Sequence, residues 1–259
     1  MKKIGLILVV FAFSVYFPSD GQSQEVGDTA DHRELLSKYY RLEKPDGAGP
    51  FPAVLLVPCS GGFEAKNHIK FHDYVQSQLV ELGFVVLRVN YLAVRNAYRG
   101  NHVPAEDVAG DIGIEVEYLR QQPFVKKGAI NVMGWSYGGG GALQALGRFG
   151  SREPVQVDAV VGYYPSCGFV NVLILDLEAP VLVLVGSNDH VTPLYECETL
   201  FGHLPKHNRP TIRVYDKAHH HFDNFELQAR KQSSPDGISG YNEAVAKSAL
   251  IEVTNFLRK

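Results

Sequence analysis

Residues 129–138 read Ala129-Ile130-Asn131-Val132-Met133-Gly134-Trp135-Ser136-Tyr137-Gly138, and this stretch decides the fold. A strand-like run, 129–133, passes without a spacer into Gly-x-Ser-x-Gly, and Gly139, Gly140 and Gly141 follow. A serine turned sharply where a strand ends and a helix begins needs residues without side chains two before and two after it. Such a turn exposes the hydroxyl and aims the unpaired N–H groups of the helix start at whatever reacts there. Each glycine in a helix interior costs about 1 kcal/mol relative to alanine. Four in succession therefore predict close backbone approach, not a helix tuned for stability. The Lys-[Ser/Thr] of a phosphate loop and the Gly-x-Gly-x-x-Gly order are both absent, which argues against nucleotide binding.

Outward from this stretch, apolar runs alternate with helical patterns. The runs 53–57, 84–89, 157–163, 181–185 and 212–215 read as strands, and 181–185 is apolar throughout, as in a central parallel strand covered on both faces. Phe71, Tyr74, Val75, Leu79 and Leu82 recur at helical spacing, with Gly83 just past the end. Further helices are expected over 108–119, from Leu143 onward, and over 241–257. This alternation predicts one α/β domain with a mostly parallel central sheet and helices on both faces.

A serine hydroxyl becomes a useful nucleophile only beside a base that an acid orients. On this architecture both should follow in chain order beyond strand C-terminal ends. After 181–185 comes Gly186-Ser187-Asn188-Asp189, then Thr192-Pro193, which opens a helix. Asp189 is the expected acid; Asp176 and Glu178 precede the strand and so sit at the wrong end. After 212–215 comes Asp216-Lys217-Ala218-His219-His220-His221-Phe222-Asp223, and the residues alone leave three candidates for the base. Consecutive side chains in a loop rarely converge on one ion, so no metal site is read there, and no cofactor is expected. His68 and His72, four apart on a helix, lack the Glu of a metalloprotease motif and are placed on a solvated face.

Composition narrows the class without naming chemistry. The chain has 259 residues, 45% hydrophobic and 20% charged, with a formal charge of −3, which excludes disorder and gives no basic field for nucleic acid. Lys2 and Lys3 precede an apolar run, 4–17, shorter than the roughly 20 residues of a membrane-crossing helix. Residues 1–22 are therefore expected to be a signal peptide, 23–50 a polar leader and 51–259 the catalytic-size domain, exported to the periplasm or outside the cell. No stable membrane span is expected after cleavage, and the oligomeric state is left open. Of Cys59, Cys167 and Cys197, the last two are the pair to test first for a disulfide; spacing leaves three free thiols equally open.

These motifs resemble the dienelactone hydrolase family of α/β-hydrolases, from about Pro52 to the C-terminus. Gly134-Trp135-Ser136-Tyr137-Gly138-Gly139 resembles its nucleophile turn, Gly186 to Asp189 its acid turn, and Tyr215 to Asp223 its Y-x-x-A-x-H-x-F-D ending. The resemblance implies an α/β-hydrolase fold and a catalytic set of Ser136, Asp189 and His220; the 17 residues between the strands ending at Tyr163 and starting at Val181 are too few for a helical cap, so no cap domain is expected. Serine replaces the cysteine nucleophile of many members, which implies a serine-esterase branch acting on a small ester or lactone. The family's His-Gly after the first strand stands here as Pro58-Cys59-Ser60-Gly61-Gly62. Pro58 has no N–H to donate, so the Ser60 backbone is assigned as one oxyanion donor, with Cys59 the alternative, and the Tyr137 N–H as the other. Cys59 itself reads as a small packed residue. Arg95, with Arg99, is the candidate contact for a substrate carboxylate. A peptidase or acyltransferase using the same residues, or a silent secreted binding protein, are the other readings.

Overall fold

The computed structural model describes residues 30–95, 103–171, 174–175, 177–227, 232–234 and 237–259. The proposed signal peptide, Asp176 and Arg99 lie outside the described residues. Seven strands build the main sheet: β1 Arg41–Glu43, β2 Phe51–Val57, β3 Val85–Arg88, β4 Val125–Trp135, β5 Ala159–Tyr163, β6 Val181–Gly186 and β7 Thr211–Tyr215. Their spatial order is β1-β3-β2-β4-β5-β6-β7, parallel throughout except for the antiparallel edge pair β1–β3.

The sheet carries a helical layer on each face because its central strands are apolar on both. In β2, Ala53, Leu55 and Val57 enter one core while Val54 and Leu56 enter the other. Full burial of each such Val or Leu contributes roughly 1.5–3 kcal/mol. On one face lie α2 (Ile69–Glu81), through Phe71, Val75 and Leu79, and α7 (Glu243–Leu257), through Ala249, Val253 and Leu257. Gly83, at φ +94°, follows α2 in the left-handed conformation that favours glycine. On the other face lie α4 (Ala105–Gln121), α5 (Tyr137–Ala145) and α6 (Leu194–Gly202), with α1 (Ala30–Ser37) at the margin and the single turn α3 (Tyr91–Val94) after β3. No helix among the described residues is long and apolar enough to cross a membrane.

Three expectations change. The helix expected from Leu143 starts at Tyr137 and ends at Ala145. Tertiary packing overrides the poor propensity of its glycines: a Cβ at Gly139 would meet Pro165 at 2.9 Å, at Gly140 the Ser166 carbonyl at 2.7 Å, and at Gly141 Val108 at 2.4 Å. The segment 23–50 is not merely a leader. Its helix α1 buries His32 and Leu36, and its strand β1 pairs with β3 through Leu42↔Leu87. His72 is not solvated but 1% exposed, ringed by Phe63, Phe71 and Trp135.

Cys167 and Cys197 form a disulfide, Cα–Cα 5.0 Å, leaving Cys59 as a buried free thiol. The bond ties the turn after β5 to α6 across a sequence separation of 30. Loop-closure entropy puts its contribution at roughly 3–4 kcal/mol. A Cys167→Ser/Cys197→Ser variant is therefore expected to lose about that much in urea unfolding. An unchanged midpoint would remove the entropic account. Between Tyr163 and Val181 lie 17 residues, and the described ones include a 3₁₀ turn, Cys167–Phe169, and a short ribbon strand, Ile174–Leu175, paired with Gly147–Arg148.

Candidate active site

Ser136 directly follows β4 with φ +50° and ψ −114°, a strained region for a residue with a side chain. The turn is held by main chain: Ser136 N–H donates to the Tyr163 carbonyl at 2.9 Å, and its own carbonyl accepts from Ser166 and Gly140. The flanking glycines are sterically required, since a Cβ at Gly134 would lie 2.5 Å from the Gly138 carbonyl and one at Gly138 2.2 Å from the Pro58 carbonyl. The latter approach seats the first turn of α5 directly on the end of β2, bringing the Pro58–Ser60 segment beside Tyr137.

Ser136, His220 and Asp189 are brought together. His220 Nε2 lies 3.0 Å from Ser136 Oγ, and His220 Nδ1 lies 2.8 Å from Asp189 Oδ2. All three are largely buried. Asp189 Oδ1 accepts the backbone N–H groups of Val191 and Thr192, each at 2.9 Å, so the carboxylate is aimed by its own turn. Four further contacts lace that turn to the histidine turn. Asn188 N–H donates to the Ala218 carbonyl, Ser187 N–H to that of Tyr215, and Lys217 N–H to Ser187 Oγ, while His219 Nδ1 meets the Asn188 carbonyl. A Cβ on Gly186 would fall 2.2 Å from the Ala218 carbonyl, so only glycine permits this approach.

Some residues of the site carry a role that the sequence motifs do not assign. Thr192, read as a helix opener, places Oγ1 3.1 Å from both Asp189 Oδ2 and His220 Nδ1, and donates to the Tyr164 carbonyl at 2.9 Å. Asp223 accepts from Trp135 Nε1 at 2.9 Å and from the Tyr164 hydroxyl at 2.7 Å, while the Tyr164 ring packs 4.5 Å from that of His220. Asp223 thus joins the ends of β4 and β5 to the histidine turn. Its sequence signal was its place as the last residue of the Y-x-x-A-x-H-x-F-D ending, which by itself assigned it no role.

Burial pushes the Asp223 carboxyl up to about 6 from 3.8, against the pull of the Tyr164 and Trp135 hydrogen bonds. A carboxyl raised on folding favours the fold while protonated. Its contribution is complete below about pH 4 and is lost as pH rises through about 6, amounting to about 3 kcal/mol. Asp223→Asn is expected to remove this dependence. Measured by urea unfolding, the variant should gain about 3 kcal/mol on the wild type between pH 4 and pH 7. A constant difference would show that the carboxyl titrates normally.

The expectation for Arg95 is overturned. Its guanidinium donates to Asp111 Oδ2 at 2.9 Å, to Asp111 Oδ1 at 2.8 Å and to Asp107 Oδ2 at 2.8 Å, with the side chain only 9% exposed. Two carboxylates already neutralise it, so no charge is left for a substrate anion. Glu178 is exposed in the segment before β6, at the opposite end of that strand from Asp189. Cys59 is packed, as expected, and burial pushes its thiol up. Its sulfur, a His68 nitrogen and a His221 nitrogen nevertheless lie within 4.8 Å of one another.

A parallel, doubly covered sheet with a serine on a strained strand–helix turn, followed by an acid and a histidine beyond later strands, defines an α/β-hydrolase. The sequence profile of the dienelactone hydrolase family matches residues 40–259. The chain belongs to the dienelactone hydrolase family. Solved structures agree on the fold. A protein of Klebsiella pneumoniae subsp. pneumoniae MGH 78578 assigned as a dienelactone hydrolase is 19% identical, with a TM-score of 0.65 over 85% of this chain and 92% of its own. A thermophilic esterase of Thermogutta terrifontis is 18% identical, with a TM-score of 0.60 over 84% and 85%. The same esterase phosphorylated by paraoxon gives a TM-score of 0.61 at 18% identity, over 84% and 87%. No curated protein matches the chain.

Proposed function

We propose that this protein is an exported serine hydrolase that cleaves small carboxylic esters or lactones through an acyl-enzyme. The observation that carries the reading is the continuous hydrogen-bonded line from Asp189 through both nitrogens of His220 to Ser136. Ser136 Oγ attacks the ester carbonyl while His220 Nε2 takes its proton. Asp189 holds Nδ1–H, fixing the tautomer and stabilising the imidazolium that forms. The tetrahedral oxyanion is received by the backbone N–H groups of Ser60 and Tyr137, one beyond β2 and one opening α5. His220 returns the proton to the leaving alkoxide. Water, activated by the same histidine, then hydrolyses the acyl-enzyme and frees Ser136.

Family membership supports ester hydrolysis, and the paraoxon-phosphorylated neighbour is a structurally similar esterase open to organophosphate attack. The short segment between β5 and β6 leaves room for small or surface-presented esters. Export is supported by the Lys2-Lys3 apolar run and by the disulfide, which persists in oxidising compartments. A fluorophosphonate probe tests the reading. Wild type should label and Ser136→Ala should not; no labelling of wild type would sink it. A panel of acyl-chain lengths, lactones and peptide amides then assigns the substrate class.

A further inference from the structure

Beside the proposed catalytic line sits a second cluster that the mechanism does not use. Cys59 follows β2, His68 caps the start of α2, and His221 follows the proposed base, so three distant segments meet there. Cys59 Sγ lies 3.9 Å from His68 Nδ1, and the His68 and His221 rings are 5.1 Å apart. His221 Nε2 is buried and has no hydrogen-bond partner among the described residues. A buried imidazole nitrogen left unpaired costs free energy that a ligand would recover. His221 is also one of the few non-glycine residues held in the left-handed region, at φ +59°.

The protonation state of His68 follows from its neighbour. Asn224 Oδ1 accepts the Glu226 N–H at 3.0 Å and its Nδ2 donates to the Asn67 carbonyl at 3.0 Å, which fixes the amide orientation. The same Nδ2 lies 3.4 Å from His68 Nδ1 and can only donate to it. His68 Nδ1 is therefore the unprotonated nitrogen, the form that binds a metal. Burial lowers the affinity of both imidazoles for protons, His221 most strongly. A tetrahedral zinc, at about 2.3 Å from sulfur and about 2.0 Å from nitrogen, holds those donors about 3.5 Å apart. The Cys59–His68 pair thus needs to close by only a few tenths of an ångström. His68 is half-buried, which provides the entry path.

We propose that Cys59, His68 and His221 form a binding site for a thiophilic divalent cation, zinc foremost, with a fourth position open to solvent or a small anion. One thiolate and two imidazoles suit zinc and cobalt over magnesium or calcium, which prefer oxygen. Occupancy would tie the turn bearing Ser60 to the turn bearing His220, so zinc is expected to slow ester turnover. That kinetic half rests on the serine-hydrolase reading; the binding half does not.

The test is cobalt titration of the full chain with its disulfide intact, so that Cys59 is the only thiol present. Wild type should bind one Co²⁺ with a thiolate-to-metal charge-transfer band, and Zn²⁺ should bleach it. Cys59→Ser should lose the band, and His68→Gln and His221→Asn should each weaken Zn²⁺ binding roughly 100-fold. Asn tolerates the positive φ of His221. His207→Gln, at an exposed imidazole, should change nothing. Absence of the band in wild type, or binding that survives both Cys59→Ser and His68→Gln, would overturn the site. Zn²⁺ should slow fluorophosphonate labelling of wild type but not of Cys59→Ser. Equal slowing in both would place zinc on His220 itself and overturn the restraint. Should wild type never label, the serine-hydrolase reading fails while the cobalt spectra still decide the site.

Discussion

Replacing Ser136 with alanine is expected to lower ester turnover by roughly 10⁴-fold or more, with stability changed by less than about 1 kcal/mol. Residues acting as one unit fail together, so His220→Ala should cost about as much, and the double variant little more. Stability is spared because the turn is held by main chain: the bonds of Ser136 to Tyr163, Ser166 and Gly140 involve no side-chain atom. The hydroxyl's contact with His220 is the interaction removed. Steady-state kinetics on a short-chain ester read the result. Residual turnover within 100-fold of wild type would mean that another nucleophile or water does the chemistry.

Gly138→Ala is the second large effect, and it is steric. The added Cβ would lie 2.2 Å from the Pro58 carbonyl oxygen and 2.5 Å from that of Val57. Both are backbone atoms of β2 and its end, with no flexible side chain to yield. The helix α5 must therefore lift away from the sheet, at a cost of roughly 3–5 kcal/mol. The same displacement moves the Tyr137 N–H relative to Ser60, so turnover should fall by about 10²–10³-fold in whatever fraction folds. Gly202→Ala provides the contrast: it ends α6 with open space around its Cβ and should be neutral or slightly stabilising. Equal urea midpoints for the two variants would refute the packing argument.

The proposed catalytic set was readable in the sequence because each part is coded locally. Gly134-x-Ser136-x-Gly138 is a steric requirement of one turn, and Asp189 with the 219–221 histidines occupy short turns after recognisable apolar strands. What was not legible depends on contacts between distant segments. The apolar pattern marks α5 only from Leu143 because its first turn is four glycines of poor propensity that sheet and loop packing demand, although the strand–serine–helix turn already puts its start after Ser136. Polar β1, with Arg41 and Glu43 exposed at a sheet edge, carries no apolar run to mark it. His72 was assigned to solvent on its polarity, yet Phe63, Phe71 and Trp135 enclose it. Arg95 looked available only because Asp107 and Asp111, on α4, are invisible as partners until the helix packs. The family resemblance chose His220 among three histidines; the structure supplies the physical reason, its reach to both Asp189 and Ser136.

The lacing of the acid turn to the histidine turn divides the proposed catalytic line unequally. Asp189 and His220 stand on adjacent parallel strands whose ends are stitched by backbone bonds, so they behave as one rigid block. Ser136 stands two strands away from the acid-bearing β6, across β5; its side chain meets that block through one 3.0 Å contact, while Asp223 ties the neighbouring Trp135 and Tyr164 to the histidine turn. The Ser136–His220 contact is therefore the one direct side-chain joint between the nucleophile and that block. Heating, crowding substitutions or denaturant below the unfolding transition should open that joint first. Inactivation would then precede loss of secondary structure and would appear as a fall in kcat with KM unchanged.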